Sequence, residues 1–269
     1  MVYAVSKHKT VWNENTYRKR IEEGRGQGEV RQYLPWVQVQ DFSSQGTISR
    51  IAGHKTGRTH HFMSSGETDY FYLLEWSDEV LDIREQYPLQ DIEAAIAIAA
   101  DKGIRYPKDP VSGFPYVLTS DFLITTKTGV KARTVKRSAE LHNRRTLEKL
   151  EIERQYWQHA GIDWKLVTEH EMPAVKIRNI KWLHTAVSTI TPPVPKDLIE
   201  DIVQYHTNRG HSIYETAVWI ERQFNLLEGS GLQIMRQLLW LKIISCDIEH
   251  SALWRKPRLW VSEVKPCFQ

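Results

Sequence analysis

Apolar and β-branched residues dominate Tyr116 to Thr125, give way at Lys127-Thr128-Gly129, and resume in alternation from Val130 to Lys136. That pattern predicts a β-hairpin with the glycine in its turn. Ahead of it, Leu81, Ile83, Tyr87 and Leu89 fall at alternate positions, interrupted by Glu85, and predict a strand; Val37 to Phe42 and Arg50 to Gly53 predict shorter ones. Helical periodicity marks Asn15 to Glu23, stopped by Gly24, and Asp91 to Lys102, ended by Gly103. It also marks Ser64 to Trp76, where Ser64-x-x-Glu67 has the form of a capping box and Tyr70, Phe71, Leu73 and Leu74 make an apolar stripe. A long helix follows the hairpin, from about Ser138 to His159, with Leu147, Leu150 and Trp157 on one side and Gly161 as its stop. Ile162 to Thr168 is the next strand. The order is that of an α/β domain in which the long helix is the crossover.

Beyond Glu169 the pattern changes. Thr191-Pro192-Pro193-Val194-Pro195 is a stiff, non-helical spacer. Helices are expected at Lys196 to Asn208, Ser212 to Asn225 and Gly231 to Lys242, then short strands at Ile243 to Ile248 and Arg258 to Ser262 around a basic turn. Three helices and a basic hairpin outline a winged helix, a module that docks on DNA or on protein. The expected division is a domain of residues 1–170 and a smaller, mainly α domain of residues 171–269.

Composition narrows the partners only a little. The 269 residues carry a formal charge of +3, which permits a polyanionic partner without requiring one. The basic residues gather in YRKR (17–20), HKTGR (54–58), KARTVKR (131–137) and RKPR (255–258). With the flexible GRGQG loop, these nominate Arg25, Lys55, Arg58, Lys131 and Arg137 as DNA contacts. The GRGQG loop lacks a Walker lysine and is no phosphate-cradling fingerprint. Two cysteines make neither a disulfide framework nor a zinc site, so a reducing, cytoplasmic setting is expected. No stretch approaches the roughly 20 apolar residues of a membrane span. His60 and His61 are adjacent and, on a strand, face opposite sides, which argues against joint metal ligation.

The hairpin carries the candidate chemistry. Asp121 on its first strand is expected to face Lys136 on its second, a pairing that serves either a surface ion pair or a cation site. Glu67 is either a helix cap or a second acid for Mg²⁺, which takes few carboxylates and keeps several waters. The Val135 backbone carbonyl supplies another oxygen, and Thr134 shares a strand face with Lys136. Phosphodiester hydrolysis needs such a polarised water together with positive charge for the phosphate.

At these residues the chain resembles the TnsA family, the endonuclease subunits of heteromeric cut-and-paste transposases, of the restriction-endonuclease-like PD-(D/E)XK class. The likeness runs from about Arg20 to Thr168 through EGRGQG (23–28), HKTGRTHH (54–61), LEWSDEVLDIREQYPL (74–89), TSDFL (119–123) and RTLEKLEIERQYW (145–157). The resemblance implies Glu67, Asp121 and Lys136 as catalytic residues, Mg²⁺ as cofactor with Mn²⁺ as substitute, and Glu153 as an assisting acid. The position of Thr134 is usually Glu in the PD-(D/E)XK class and Gln in the best-known family member, so the resemblance implies a shorter, neutral ligand there. The implied role is the 5′-strand cut at double-stranded transposon ends. A TnsB-like DDE transposase would cut and join the 3′ strands, and a TnsC-like AAA+ ATPase would dock on the C-terminal domain. Two other readings stay open: a non-catalytic adaptor between transposase and regulator, and a stand-alone nuclease.

Overall fold

The computed structural model describes residues 11–41, 47–187, 194–209, 212–244, 246–250 and 253. The chain divides into two units, Met1–Thr68 with Ser77–Glu169, and Asp69–Trp76 with His170–Gln269. In the first, helix α1 (Glu14–Glu22) starts at Asn13, whose side chain accepts the Thr16 N–H. The strand expected at Val37 to Phe42 is instead a 3-10 turn at Val39–Asp41. Its donors are satisfied by side chains: Asp41 accepts the Gln38 N–H and His61 Nδ1 the Val39 N–H, so no ladder forms. Strands β1 (Ser49–Ala52) and β2 (Thr59–Phe62) make a separate antiparallel pair.

Helix α2 (Ser65–Trp76) leads to β3 (Val80–Pro88), and α3 (Ile92–Asp101) follows. The hairpin is β4 (Thr119–Thr126) and β5 (Gly129–Val135). The long helix begins later than its periodicity suggests. Ser138–His142 is a 3-10 turn, and Asn143 caps the N–H groups of Arg145 and Thr146 to start α4 (Arg144–His159). Strand β6 (Asp163–Val167) closes the unit. The sheet runs β3-β4-β5-β6, antiparallel except for the parallel pair β5/β6, which α4 connects. Such a mixed sheet fits a restriction-endonuclease-like domain. Leu123 and Ala132 from the sheet pack with Ala95, Ile98 and Ala99 of α3 and Ile152 and Trp157 of α4. That core holds the hairpin against both helices.

In the second unit, α5 (Ala174–Val187) is a helix the sequence reading did not anticipate, although Ile177, Ile180 and Leu183, all buried, recur at three-residue spacing after Pro173. Helices α6 (Lys196–Arg209), α7 (Ile213–Gln223) and α8 (Ser230–Trp240) match the expected set. The wing is a different matter. Among its described residues, Ile243 to Ile248 forms no strand, and Ile243, Ile244 and Ile248 are buried instead. Arg258 to Ser262 and the RKPR cluster lie outside the described residues. No helix of the described residues is long and apolar enough to cross a membrane.

Candidate active site

Pairing of β4 with β5 runs from Thr126↔Gly129 to Phe122↔Arg133 and stops there. One residue on, the Asp121 carboxylate takes over from the backbone: Oδ2 accepts the Val135 N–H at 2.7 Å and the Lys136 ammonium at 3.0 Å. Lys136 Nζ also donates to the Val135 carbonyl at 2.9 Å. Two oxygens from different strands thus meet one positive charge. Burial works against the ammonium, but the Asp121 charge and hydrogen bond, with Glu67 and Glu153 further off, raise its pKa overall. A lysine so held stays charged at neutral pH and can donate hydrogen bonds but not accept a proton.

Glu67 enters from the first turn of α2. A Cβ at Gly66 would meet Val135 Cγ1 at 3.1 Å, so glycine permits this close approach to β5. Glu67 caps the helix without using all of its acceptor positions. Glu67 Oε1 accepts from Ser64 Oγ (2.9 Å), while Oε2 accepts the Met63 N–H and Gln86 Nε2 (both 3.0 Å). A carboxylate has about four lone-pair positions, so these three bonds leave one on Oε1. The backbone donor is Met63, one residue ahead of the position a strict capping box uses. Burial first, then the charge of Asp121, pushes the Glu67 carboxyl above its usual range.

Thr134 and Glu153 face each other. Glu153 Oε1 accepts from Ser120 Oγ (2.5 Å), Trp164 Nε1 (2.9 Å) and the Thr134 hydroxyl, and Ser120 in turn accepts from Trp157 Nε1 at 2.6 Å. Three donors on one oxygen occupy that side of the carboxylate. Burial, chiefly, and the Asp121 charge push this acid up to about 7 despite them. Among the described residues there is no group of three or more His, Cys, Asp or Glu side chains arranged to hold a metal. The oxygens available at the hairpin are those of Asp121, Glu67 and the Val135 carbonyl.

The sequence model described as TnsA-like endonuclease N terminal matches residues 77–169, and that described as TnsA endonuclease C terminal matches residues 171–248. The Escherichia coli protein named transposon Tn7 transposition protein TnsA is 44% identical over 184 residues, 67% of this chain and 66% of that protein. The chain belongs to the TnsA family.

Within this chain, the nominated basic residues divide by their surroundings. Arg58 is an internal clamp: its guanidinium donates to both carboxylate oxygens of Glu85, to the Ile83 carbonyl and to the Val30 carbonyl, with its side chain 8% exposed. Arg25 pairs with Asp41 at 2.6 Å and Glu23 at 2.8 Å, its side chain 12% exposed. Arg58 is thus held by a buried carboxylate, whereas the partners of Arg25 are the half-buried Asp41 and the exposed Glu23. In the GRGQG loop Gly26 is buried, where a Cβ would overlap Pro88, and a Cβ at the exposed Gly28 would meet the Gln32 carbonyl. Arg137 is exposed beside Lys136, while Lys55 and Lys131 are half-buried. Sequence reasoning overlooked Gln86, Ser120 and the network in which buried Glu85 accepts from Arg58 and pairs with His60, itself bonded to Thr56. Burial alone would raise the Glu85 carboxyl, yet His60 and Arg58 bring it down to about 2. Only an acid interrupting an otherwise apolar alternation hinted at it.

Proposed function

We propose that this chain is a Mg²⁺-dependent endonuclease of transposon ends, cutting the 5′ strands while a DDE transposase partner cuts and joins the 3′ strands. The observation that carries the reading is the meeting of Asp121, the Val135 carbonyl and Lys136 within hydrogen-bond distance, with Glu67 close enough for its titration to sense Asp121. These are hard oxygen donors, and two neighbouring acids, one shifted upward by burial and then by the charge of the other, suit a small divalent cation. Bound there, Mg²⁺ would polarise an attacking water and offset charge on the phosphate, with Mn²⁺ as substitute. Asp121 and Glu67 would hold the ion, with the Val135 carbonyl as a third oxygen. Lys136 would donate to the phosphate or position the water, which its persistent charge suits. Thr134 and Glu153 act on this reading as support for the strand rather than as ligands.

The TnsA relative is named for transposition of Tn7. A corresponding role here brings double-stranded transposon ends as substrate. It also brings an AAA+ ATPase as a partner for the C-terminal region. Lys55, Lys131 and Arg137 are the proposed phosphate contacts on the DNA. In a reconstituted transposase, Asp121→Ala or Lys136→Ala is expected to lower 5′-strand cutting by at least about 100-fold, of the order seen on removing an electrostatic catalytic group, with 3′-strand cutting retained. Strand-resolved gels of end-labelled DNA read both, and 5′ cutting at the wild-type rate by either variant contradicts the reading.

A further inference from the structure

The ladder of strand β3 slips between Val80 and Asp82 at its start and breaks again at one residue level with Asp121. Glu85 pairs with Phe122 and Tyr87 with Ser120, but Gln86, between them, has left the ladder. Its φ is +48°, a left-handed conformation that a non-glycine residue rarely adopts within a strand. The distortion is held at three points. The Gln86 carbonyl accepts the Trp36 N–H at 3.3 Å, its Oε1 accepts from Thr119 Oγ1 at 3.3 Å, and its Nε2 donates to Glu67 Oε2 at 3.0 Å. Gln86 is buried, 5% exposed, so the amide meets that carboxylate away from water. Backbone strain kept by surrounding contacts concentrates at functional sites.

We infer that Gln86 is a positioning residue for the metal-binding acid: its amide fixes the Glu67 carboxylate so that Oε1 is presented toward Asp121. The inference rests on the reading of Glu67 and Asp121 as the pair that holds the cation. A neutral amide suits the task better than a lysine or arginine. It orients the carboxylate by donating one hydrogen bond, and it adds no charge that would compete with a cation for the same acid. Thr119 fixes the amide from its other end, so the carboxylate is met by NH₂ and not by the carbonyl oxygen.

The test compares wild-type full-length chain with Gln86→Gly and Gln86→Leu. Glycine accepts φ near +48° without strain, so the first variant keeps the backbone while losing the amide; leucine keeps much of the volume. Mn²⁺ binding is measured by calorimetry without DNA, alongside thermal melting and strand-resolved end cleavage with the transposase partner. Both variants are expected to bind Mn²⁺ about 10-fold more weakly and to cut the 5′ strand about 10- to 100-fold more slowly, with cooperative melting retained. Wild-type Mn²⁺ affinity in both variants, with only the melting temperature changed, would assign Gln86 a purely structural role and overturn the inference. If wild-type chain itself neither binds Mn²⁺ nor cuts, the nuclease reading falls and this one with it, so the two failures are distinguishable.

Discussion

At the scale of single residues, the site is a set of buried acids whose charges are only partly offset. Glu153 makes the clearest prediction. Its carboxyl titrates at about 7 in the folded chain against a usual 4.5, so the folded state holds the proton more tightly than the unfolded state. Its stabilising contribution is therefore complete below about pH 4.5 and is lost as pH rises through 7, by up to roughly 3 kcal/mol. Glu67 shifts in the same direction. Glu85, depressed to about 2, has the opposite sign, but its contribution is lost only as pH falls below 4.5 toward 2. Glu153→Gln leaves a carbonyl to accept from Ser120, Thr134 and Trp164. Urea midpoints of the metal-free variant are expected to fall less between pH 5 and 8 than those of the wild type. Equal slopes would contradict the assignment.

At the scale of elements, packing decides what periodicity alone leaves open. Helix α8 shows this most directly. A Cβ at Gly231 would lie 2.1 Å from the Ala217 carbonyl oxygen of α7, so the two helices meet backbone to backbone. Gly231→Ala is expected to cost roughly 1–3 kcal/mol of stability, and an unchanged melting temperature would count against this contact. The hairpin was legible in the sequence because turn chemistry and β-branched runs agree there, and so was α2, with its serine and glutamate at cap spacing. Asp121, Glu67 and Lys136 came from chemistry and family likeness together. What escaped was non-local. Arg58 reads as a DNA contact until Glu85, 27 residues on, is seen to claim it, and the Val39 turn reads as a strand until His61 and Asp41 take its donors. Gln86 gave no signal, since left-handed backbone in a strand has no side-chain signature outside glycine and asparagine.

At the scale of the whole molecule, a formal charge of only +3 gives little non-specific hold on DNA. Two of the five basic residues nominated from sequence, Arg25 and Arg58, are paired with carboxylates of the same chain, which lowers the reserve further. On the proposed function, a chain so equipped would be brought to the transposon ends by its transposase partner. On that same proposal, Glu67, Asp121 and the Val135 carbonyl form one cation site beside Lys136. Fe²⁺ substituted for Mg²⁺ on the full chain, with peroxide and ascorbate, cuts the polypeptide where the metal sits. Scission is expected near residues 67, 121 and 135, suppressed by excess Mg²⁺ and lost in Asp121→Ala. Scission confined to other segments, or an unaltered pattern in that variant, would contradict it.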